Sequence, residues 1–443
     1  MGLATARAGG ADPAGHRVRY VDGDVEICRH ALDRVPLSLI VDDSAALLNL
    51  NYFFLRDLNA RTGVHRRWDD LPVVIPERFT REWAEWCGEN GVRGKFSVVP
   101  CPAALGRIDR GLPLFGAAQL ESWLRMSREC IVPFFDITPE MLTHTLIVDP
   151  ETLRPLPSHG WEQLEWRAFG PEERVGEYMA AACAILARVG LPPQGVTSPG
   201  GFGEESLALY ARLVGEHCRA VTGRPAPFFF QRAVTDNPVV DTPVWYPDRA
   251  AGTAVGEAIV CTNDWTGSWT GYGRADPDRF ITEDLAHGRL PEVIDAGSPC
   301  ILLAHWQGMY GLNDSDRRGF QALRTVVHRL RERDPHGERT RWRKVSEITD
   351  YACARALATV HHAPTAAVLD LPLPVAELTL RLRGRPAREV LVDGHPLTPV
   401  PNRRGLRAGT FCPDGPAGVD GPDTLLALDP RTRQVRVEWK VGG

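Results

Sequence analysis

Closely spaced cysteines are missing from this 443-residue chain, although it contains ten cysteines. They are spread singly, and none forms a C-x-x-C pair, which argues against a zinc knuckle and against a redox-active dithiol of that type. A free cysteine in an average globular chain behaves as a small apolar residue. We therefore expect most of these cysteines to be buried, reduced thiols.

A large excess of charge of one sign is also missing. Lys and Arg total 51 against 56 Asp and Glu, which gives a net charge of −5 and disfavours nucleic acid or an anionic membrane as a partner. No segment approaches the roughly 20 uninterrupted apolar residues of a membrane-spanning helix, and residues 1–16 lack the apolar core of a signal peptide. We expect a cytoplasmic protein, and the sequence indicates no oligomeric state.

From residue 36 onward, short apolar runs alternate with amphipathic segments. The helical segments include one with Thr80 as its N-cap, and further ones at 173–189 and 204–217. The apolar runs predict buried strands at 36–41, 95–99, 131–137, 195–198, 228–231, 258–261, 300–304 and 342–345. Strands that alternate with helices indicate an α/β fold with a parallel sheet, and about seven or eight of them in roughly 320 residues favour a closed or nearly closed (β/α) barrel over a small open sheet.

The two ends of the chain differ from this pattern. Residues 18–28 predict a hairpin around the turn Asp22-Gly23. Beyond residue 357, strand-like runs follow one another without helical periodicity, at 366–371, 377–383, 389–392, 424–428 and 435–441. We therefore predict an N-terminal extension at 1–32, the barrel at 33–360 and a small all-β, sandwich-like C-terminal domain at 361–443.

Parallel-sheet enzymes bind ligands at the carboxyl ends of their strands, where this chain carries polar residues. The first such end holds the adjacent carboxylates Asp42 and Asp43. Burial and mutual repulsion oppose the ionisation of such a pair, and a cation would remove that cost. One Asp would then bind the metal and the other would act as a base. Alternatively, Asp43 or Ser44 caps the following helix.

The second strand end is followed by His144, Asp149 and His159. His144 can add an imidazole to the acidic pair and complete a mixed nitrogen and oxygen metal site. Asp149 or His159 can supply a third ligand, and we prefer Asp149. A lone histidine is, however, more often a hydrogen-bonded structural residue.

Two further strand ends carry candidate residues. Glycines in the turn Thr197-Ser198-Pro199-Gly200-Gly201 let the backbone approach a substrate, and the helix that follows favours an anion at its N-terminus. The run at 300–304 delivers His305, Trp306 and Gln307. A histidine in this place can donate a proton to a leaving group, although a structural role for the same residue is open.

The segment 261–272 interleaves aromatic rings with polar side chains. Asn263, Asp264 and Trp265 are followed by Trp269 and Tyr272. Such a surface can bind a sugar, because aromatic rings stack on its C–H faces while amides and carboxylates bind its hydroxyls. Core packing explains the same tryptophans without any ligand.

Taken in order, these strand ends resemble the NodB-like polysaccharide deacetylases of the glycoside hydrolase/deacetylase superfamily. The matching segments are Leu39-Ile40-Val41-Asp42-Asp43-Ser44 for T-F-D-D-G, Lys95-Phe96-Ser97-Val98-Val99 for A-T-F-F-V, Ser198-Pro199-Gly200-Gly201 for R-P-P-Y/F-G, and Leu302-Leu303-Ala304-His305 for L-L-H. The resemblance covers roughly residues 36–345. It implies a distorted (β/α) barrel of deacetylase type.

The same resemblance implies roles for single residues. Asp42 would be the catalytic base, Asp43 and His144 would be metal ligands, and His305 would be the general acid. The family's H-x-x-x-H pair needs a second histidine where this chain has Val148, so a third ligand would come from Asp149 or, alternatively, His159. The arginine of the third motif is likewise replaced, by Thr197 or Ser198.

We therefore expect a metal-dependent hydrolase that removes an acyl group from an amino sugar or a related carbohydrate. Zn²⁺ suits the mixed ligands best, while Mn²⁺, Co²⁺, Ni²⁺ and Fe²⁺ are also compatible. The substrate-binding residues would be Pro199, Gly200, Asn263, Asp264, Trp265, Trp306 and Gln307. Two alternatives are a metal-free glycosidase using Asp42 with Asp264, and a catalytically inactive carbohydrate-binding barrel.

Overall fold

The computed structural model describes residues 25–418 and 421–441. Most of the predicted N-terminal hairpin therefore lies outside the described residues. None of the helices within the described ranges is long and apolar enough to cross a membrane. All ten cysteines are free thiols, and Cys130 alone among them is not buried, which agrees with the expectation from their spacing.

Ten strands precede the C-terminal region. They are β1 (Val25–Ile27), β2 (Val35–Asp42), β3 (Gly94–Ser97), β4 (Phe135–Thr138), β5 (Gly195–Thr197), β6 (Phe228–Ala233), β7 (Val244–Asp248), β8 (Thr253–Val260), β9 (Cys300–His305) and β10 (Thr340–Trp342). Nine further strands follow, namely β11 (Thr359–Ala363), β12 (Ala366–Asp370), β13 (Leu378–Leu382), β14 (Ala387–Val392), β15 (His395–Pro396), β16 (Thr398–Pro399), β17 (Thr410–Gly418), β18 (Gly421–Leu428) and β19 (Gln434–Val441).

Eleven α-helices are present among the described residues, and all of them precede β11. They are α1 (Leu50–Thr62), α2 (Glu77–Glu89), α3 (Ala117–Met126), α4 (Glu172–Arg188), α5 (Leu207–Leu213), α6 (Arg219–Thr222), α7 (Pro277–Phe280), α8 (Arg289–Asp295), α9 (Trp306–Tyr310), α10 (Arg318–Arg333) and α11 (Val345–Leu357).

The strands between β2 and β10 form two sheets of a mixed α/β fold. One sheet has the order β10-β2-β3-β4, with β9 also paired to β2, and all of its pairs are parallel. The other has the order β5-β6-β8-β7, in which β7 alone is antiparallel to its neighbour. Each predicted apolar run therefore overlaps a strand, and these strands form two sheets.

The two sheets approach each other at both edges. Parallel bridges join Ile137 to Pro193 and Glu140 to Thr197, and the amide of Cys261 donates to the carbonyl of Ile301 at 2.8 Å. This arrangement brings the carboxyl ends of strands from both sheets to a common edge, where ligand sites of parallel sheets lie.

A small apolar cluster lies between the two sheets. Its members include Ile40 of β2, Phe230 of β6, Leu303 of β9, and Val345 and Ile348 of α11. A much larger cluster contains the opposite faces of the same strands together with the surrounding helices. Because successive side chains of a strand point to opposite faces, β2, β6, β8 and β9 bury apolar side chains on both faces. This double burial explains why the sequence shows continuous apolar runs.

Three predicted elements differ from the structure. The run 131–137 was expected to be a strand throughout, whereas a helical segment covers Ser127–Ile131 and β4 begins only at Phe135. Thr80 was expected to cap a helix, but α2 already begins at Glu77, after Pro76, and Thr80 is buried within it. The run 342–345 was expected to be a strand, whereas β10 ends at Trp342 and α11 begins at Val345. Val345 is apolar because it packs in the cluster between the sheets, which a short run cannot reveal.

The C-terminal strands form two further five-stranded sheets, with the orders β1-β13-β18-β17-β16 and β11-β12-β19-β14-β15. Residues of both sheets share one apolar cluster, which includes Leu380 and Leu426 of the first and Leu369 and Val437 of the second. Strand β1 pairs antiparallel with β13. The N-terminal strand therefore belongs to a C-terminal sheet, a pairing that the hairpin prediction did not anticipate.

Candidate metal and catalytic site

Strand β2 carries the acidic pair to the common edge of the two sheets. Its last residue, Asp42, is the ladder partner of His305, the last residue of β9. Asp43 follows with a φ of 58°, in the left-handed region that residues other than glycine seldom adopt, although aspartate is among those enriched there. The backbone amide of Asp43 donates to Oε2 of Glu140 at 2.8 Å, which anchors this conformation.

Asp43, Glu140 and His144 form a buried cluster in which one potential ligand atom of each lies within 4.8 Å of the others. Nε2 of His144 lies 2.8 Å from Oδ1 of Asp43 and 3.5 Å from Oε1 of Glu140. Each of these side chains is nearly inaccessible to solvent, with at most 6% exposed. We refer to these three residues as the acidic cluster.

The cluster shifts the ionisation of its members. Burial alone would raise the pKa of Asp43, but the imidazole of His144 lowers it below the ordinary value. Burial alone would lower the pKa of His144, but the carboxylates of Asp43 and Glu140 raise it well above the ordinary value. The imidazole and the carboxylates therefore stabilise each other's charged forms.

The loop that carries His144 is held by a buried carboxylate, Glu162. Its oxygens accept hydrogen bonds from the amides of Leu142, Thr143 and His144 at 3.3, 2.9 and 2.7 Å, and the hydroxyl of Tyr178 donates to it as well. Burial raises the pKa of Glu162 to about 7. These bonds fix a stretch of backbone in which His144 itself has a φ of 64°.

The turn after β5 lies beside the acidic cluster. The side-chain amide of Gln163 is 3.1 Å from Nδ1 of His144, and the carbonyl of Gln163 accepts from the amide of Gly201 at 3.1 Å. A Cβ on Gly200 would lie 3.2 Å from Cβ of Gln163. The segment with Pro199 and Gly200 thus contacts Gln163, whose side chain contacts His144.

Asp42 is bound by a lysine that the sequence analysis did not single out. The ammonium of Lys95, on β3, donates to Oδ1 of Asp42 and, at 2.7 Å, to Oγ of Ser97. The Oγ of Ser97 also donates to the same Oδ1, at 3.2 Å. Burial raises the pKa of Asp42, and the positive charge of Lys95 offsets part of that shift.

His305 is bound by Asp264. Nδ1 of His305 lies 2.9 Å from Oδ2 of Asp264, while Oδ1 of Asp264 accepts from the amide and the hydroxyl of Thr266. Burial would lower the pKa of His305, but Asp43, Asp264 and Asp42 raise it to about 9. The imidazole is therefore protonated at neutral pH, and its Nε2 is the nitrogen left for a ligand.

Two predicted metal ligands lie elsewhere. Asp149 accepts hydrogen bonds from the amides of Glu151 and Thr152 and from the Thr152 hydroxyl, so a local turn uses its carboxylate. His159 is exposed, and its carbonyl accepts from Arg61. Neither residue belongs to the acidic cluster, whose third member is Glu140.

The predicted sugar-binding aromatic residues separate into two groups. Trp306 is only 1% exposed and contacts the rings of Phe79, Trp83 and Phe96, so the core contains it and no ligand can reach it. Gln307 is likewise buried, and its amide donates to the carbonyl of Gly311. Both residues, which were predicted to bind substrate, are thus enclosed by the described part of the chain.

The second group remains accessible. Asn263, Trp265 and Trp269 are half-buried, and Trp265 packs against Phe280 and the guanidinium of Arg279. Trp269 contacts Phe54, whose ring also packs against that of His144. The segment therefore reaches the neighbourhood of the acidic cluster through Trp269.

Glu140, Glu162 and Lys95 are the site residues that the sequence analysis missed. For Glu140 the available signal was its place among the polar residues that follow the apolar run 131–137, where ligands of parallel sheets bind. For Lys95 the signal was a charged residue inside an apolar run, which requires a buried counter-charge. The bonds of Glu162 to a loop some twenty residues away leave no local pattern.

No protein-family model and no curated protein matches the chain. Among solved structures, it is similar to a Mycobacterium smegmatis protein classed as a polysaccharide deacetylase, with 13% identity, a TM-score of 0.42, and coverage of 73% of this chain and 93% of that one. A "T48 deacetylase with substrate" has 14% identity, a TM-score of 0.30, and coverage of 71% and 90%. A mutant of a CE4-family pseudoenzyme has 11% identity, a TM-score of 0.32, and coverage of 72% and 68%.

Proposed function

We propose that this protein is a metal-dependent hydrolase that removes an acyl group from an amino sugar or a related carbohydrate. The observation that carries the proposal is the acidic cluster of Asp43, Glu140 and His144, with Asp42 and His305 adjacent on neighbouring strands. Carboxylate and imidazole ligands, a base and an acid are the groups that acyl hydrolysis by activated water requires.

The donor set of the acidic cluster fits a divalent cation. Zn²⁺ binds both carboxylate oxygen and imidazole nitrogen, and the same donor atoms suit Mn²⁺, Fe²⁺, Co²⁺ and Ni²⁺. Asp43, Glu140 and His144 would hold the ion. The chemistry that such a cation supplies is Lewis acidity, which polarises an acyl carbonyl and acidifies water.

Asp42 is the base of the proposed reaction. Both hydrogen bonds that the described residues make to its carboxylate go to Oδ1. Oδ2 is therefore the oxygen that takes the proton of the attacking water. Because the carboxylate is only 6% exposed, bulk water does not compete strongly for this oxygen.

His305 is the acid of the proposed reaction. Its Nδ1 is held by Asp264, so Nε2 carries the proton that passes to the departing amine or alkoxide. This pairing gives Asp264 a positioning role, in contrast to its predicted contact with substrate. The same pairing occupies the carboxylate of Asp264, which the glycosidase alternative requires as the partner of Asp42.

The substrate class follows from the surroundings of the cluster. Half-buried Trp265 and Trp269 offer ring surface, and Asn263 offers an amide, which together suit a carbohydrate. We also propose that the two α/β sheets form one distorted (β/α) barrel. The chain would then divide into this barrel, predicted at 33–360, and a β-sandwich domain, predicted at 361–443, to which β1 and all of β11 also belong.

Metal content tests the ligand set directly. Elemental analysis of Zn²⁺-loaded protein should give about one ion per chain, and Asp43→Asn, Glu140→Gln and His144→Gln should each lower that content, since each ligand contributes to affinity. Asp149→Asn and His159→Gln are the matched controls and should retain it. Equal metal content in all five variants would remove the metal from the proposal.

Turnover tests the reaction. Acetate release from N-acetylated chito-oligosaccharides should depend on the loaded metal and fall by about 10²-fold or more in Asp42→Asn, because a positioned base contributes about that much. Cleavage of glycosidic bonds without acetate release would favour the glycosidase. Saturable binding that survives Asp42→Asn, with no turnover by the wild type, would favour an inactive binding protein.

A further inference from the structure

The interior of the α/β sheets contains one ammonium group whose surroundings are unusual. Lys95 lies on β3, and its side chain is 0% exposed. Its Nζ lies over the ring of Phe230 at 5.6 Å from the centroid, on the apolar side of the pocket. The other side is polar and consists of Oδ1 of Asp42 and Oγ of Ser97.

A lysine in this position needs a counter-charge, because an ammonium without one is rarely buried. Asp136 is its ladder neighbour on β4, but the carboxylate of Asp136 accepts from the amide and hydroxyl of Ser346 instead. Asp42 is therefore the carboxylate that Lys95 binds. The pair joins two residues that are 53 positions apart in sequence, at the end of β2 and within β3.

The bonds to Asp42 are unequal between its two oxygens. Lys95 and Ser97 both contact Oδ1, which fixes the plane of the carboxyl group and occupies one oxygen. The other oxygen of Asp42, Oδ2, receives neither of these bonds. His305 is the residue paired with Asp42 on the neighbouring strand β9. A carboxylate that was free to rotate would present either oxygen, and each only part of the time.

We propose that Lys95 is a positioning residue that holds Asp42 by Oδ1, so that Oδ2 receives the proton of the attacking water. This inference rests on the function proposed above. It assigns no contact with substrate to Lys95, whose side chain is fully enclosed. It predicts that loss of the ammonium slows the chemical step and leaves substrate binding nearly unchanged.

The first test is the kinetic effect of Lys95→Met, which keeps a long apolar stem and removes the charge. We expect kcat for acetate release to fall by about 10²-fold, KM to change by less than about threefold, and metal content to equal that of the wild type. Ser97→Ala is the matched control. It removes the weaker contact with Oδ1 and should lower kcat by less than about tenfold.

The second test separates positioning from general damage to the fold. Lys95→Ala should regain part of its kcat on addition of ethylamine or propylamine, since such an ammonium can occupy the vacated pocket, whereas Asp42→Ala should not respond. The double variant Lys95→Met/Asp42→Asn should unfold at a higher urea concentration than Lys95→Met alone, because it contains no unpaired buried carboxylate.

The outcomes distinguish this inference from the proposed function. If the wild type releases no acyl group from any substrate offered, the proposed function fails and the role of Lys95 fails with it. If the wild type is active and folded Lys95→Met keeps its kcat, or amines restore nothing to Lys95→Ala, only the role of Lys95 is overturned.

Discussion

His305 and Asp264 form a pair in which Nδ1 of the imidazole lies 2.9 Å from Oδ2 of the carboxylate. The histidine ends β9 and the aspartate follows β8 by a few residues, so two adjacent strand ends create the pair. Asp264 is itself fixed by the amide and hydroxyl of Thr266. The imidazole therefore has a defined orientation and a stabilised positive charge.

This pair predicts a measurable pKa. In protein freed of metal by a chelator, the imidazole of His305 should titrate near pH 9, as followed by NMR. Asp264→Asn should lower that pKa, because it removes a negative charge at hydrogen-bond distance. Asp284→Asn, at an exposed carboxylate bound to His287, should leave the His305 titration unchanged. A His305 pKa that Asp264→Asn does not move would contradict the pairing.

The sign of the effect on stability follows from the direction of the shift. The folded-state pKa of His305 lies above the ordinary value of 6.5, so its contribution to stability is complete below about pH 6.5. That contribution is lost as the pH rises through about 9. The difference in unfolding free energy between the wild type and His305→Gln should therefore shrink over this interval.

Glu162 provides a second prediction, on the loop that carries His144. Glu162→Ala removes the acceptor for three backbone amides and the Tyr178 hydroxyl, and unpartnered buried groups cost about 1–3 kcal/mol each. Because four groups lose their partner, we expect a loss of about 4 kcal/mol or more in urea unfolding, together with weaker Zn²⁺ binding. Glu173→Ala, at an exposed residue of α4, is the control and should change both by little.

The sequence predicted the strand ends that deliver Asp42 and His305. Their runs are apolar on both faces, since each strand lies between the inner cluster and the outer core, and such runs are visible without a structure. Whether the runs form one sheet or two depends on how they pair, which the apolar pattern does not encode.

The third member of the acidic cluster could not be assigned from the sequence in the same way. Asp149 and Glu140 are both carboxylates near His144, and their chain separations from it, five and four residues, do not discriminate between them. Glu140 joins His144 because Glu162, from a distant segment, fixes the path of the loop that carries His144. Asp149 does not, because its carboxylate is bound within a local turn. The ligand positions therefore depend on side-chain hydrogen bonds between distant segments, which the hydrophobic periodicity of the sequence does not reveal.

Asp136 gives a prediction on pH dependence away from the metal ligands. Burial raises its pKa from 3.8 to about 6, although its bonds to Ser346 oppose the shift. Between about pH 4 and 6 the folded state thus holds a proton that the unfolded state releases, and stability falls as pH rises through this interval. The shift corresponds to about 3 kcal/mol.

Comparison with Asp136→Asn isolates this contribution. The amide has no such titration, so the unfolding free energy of the variant relative to the wild type should rise by up to about 3 kcal/mol from pH 4 to pH 7. Urea denaturation at several pH values measures it. Asp69→Asn, at an exposed carboxylate, is the control. A constant difference between Asp136→Asn and the wild type across this range would show that Asp136 stays ionised.

Gly94 lets β3 approach β2 closely, because the space at this position does not admit a side chain. A Cβ at position 94 would lie 1.8 Å from the carbonyl oxygen of Leu39, which is backbone and cannot rotate away. Gly94→Ala must therefore separate the strands, at a cost of about 3 kcal/mol or more. Gly116→Ala, where nothing lies within 4 Å of the added Cβ, should cost less than about 1 kcal/mol.

The same substitution should also affect the reaction. Lys95 is the residue after Gly94, so separation of β3 from β2 moves its ammonium away from Asp42. We expect the folded fraction of Gly94→Ala to show a kcat reduced toward that of Lys95→Met, with KM nearly unchanged, at a temperature where both variants are folded by circular dichroism. Full kcat in folded Gly94→Ala would mean that the Lys95–Asp42 contact does not depend on the close approach of these strands.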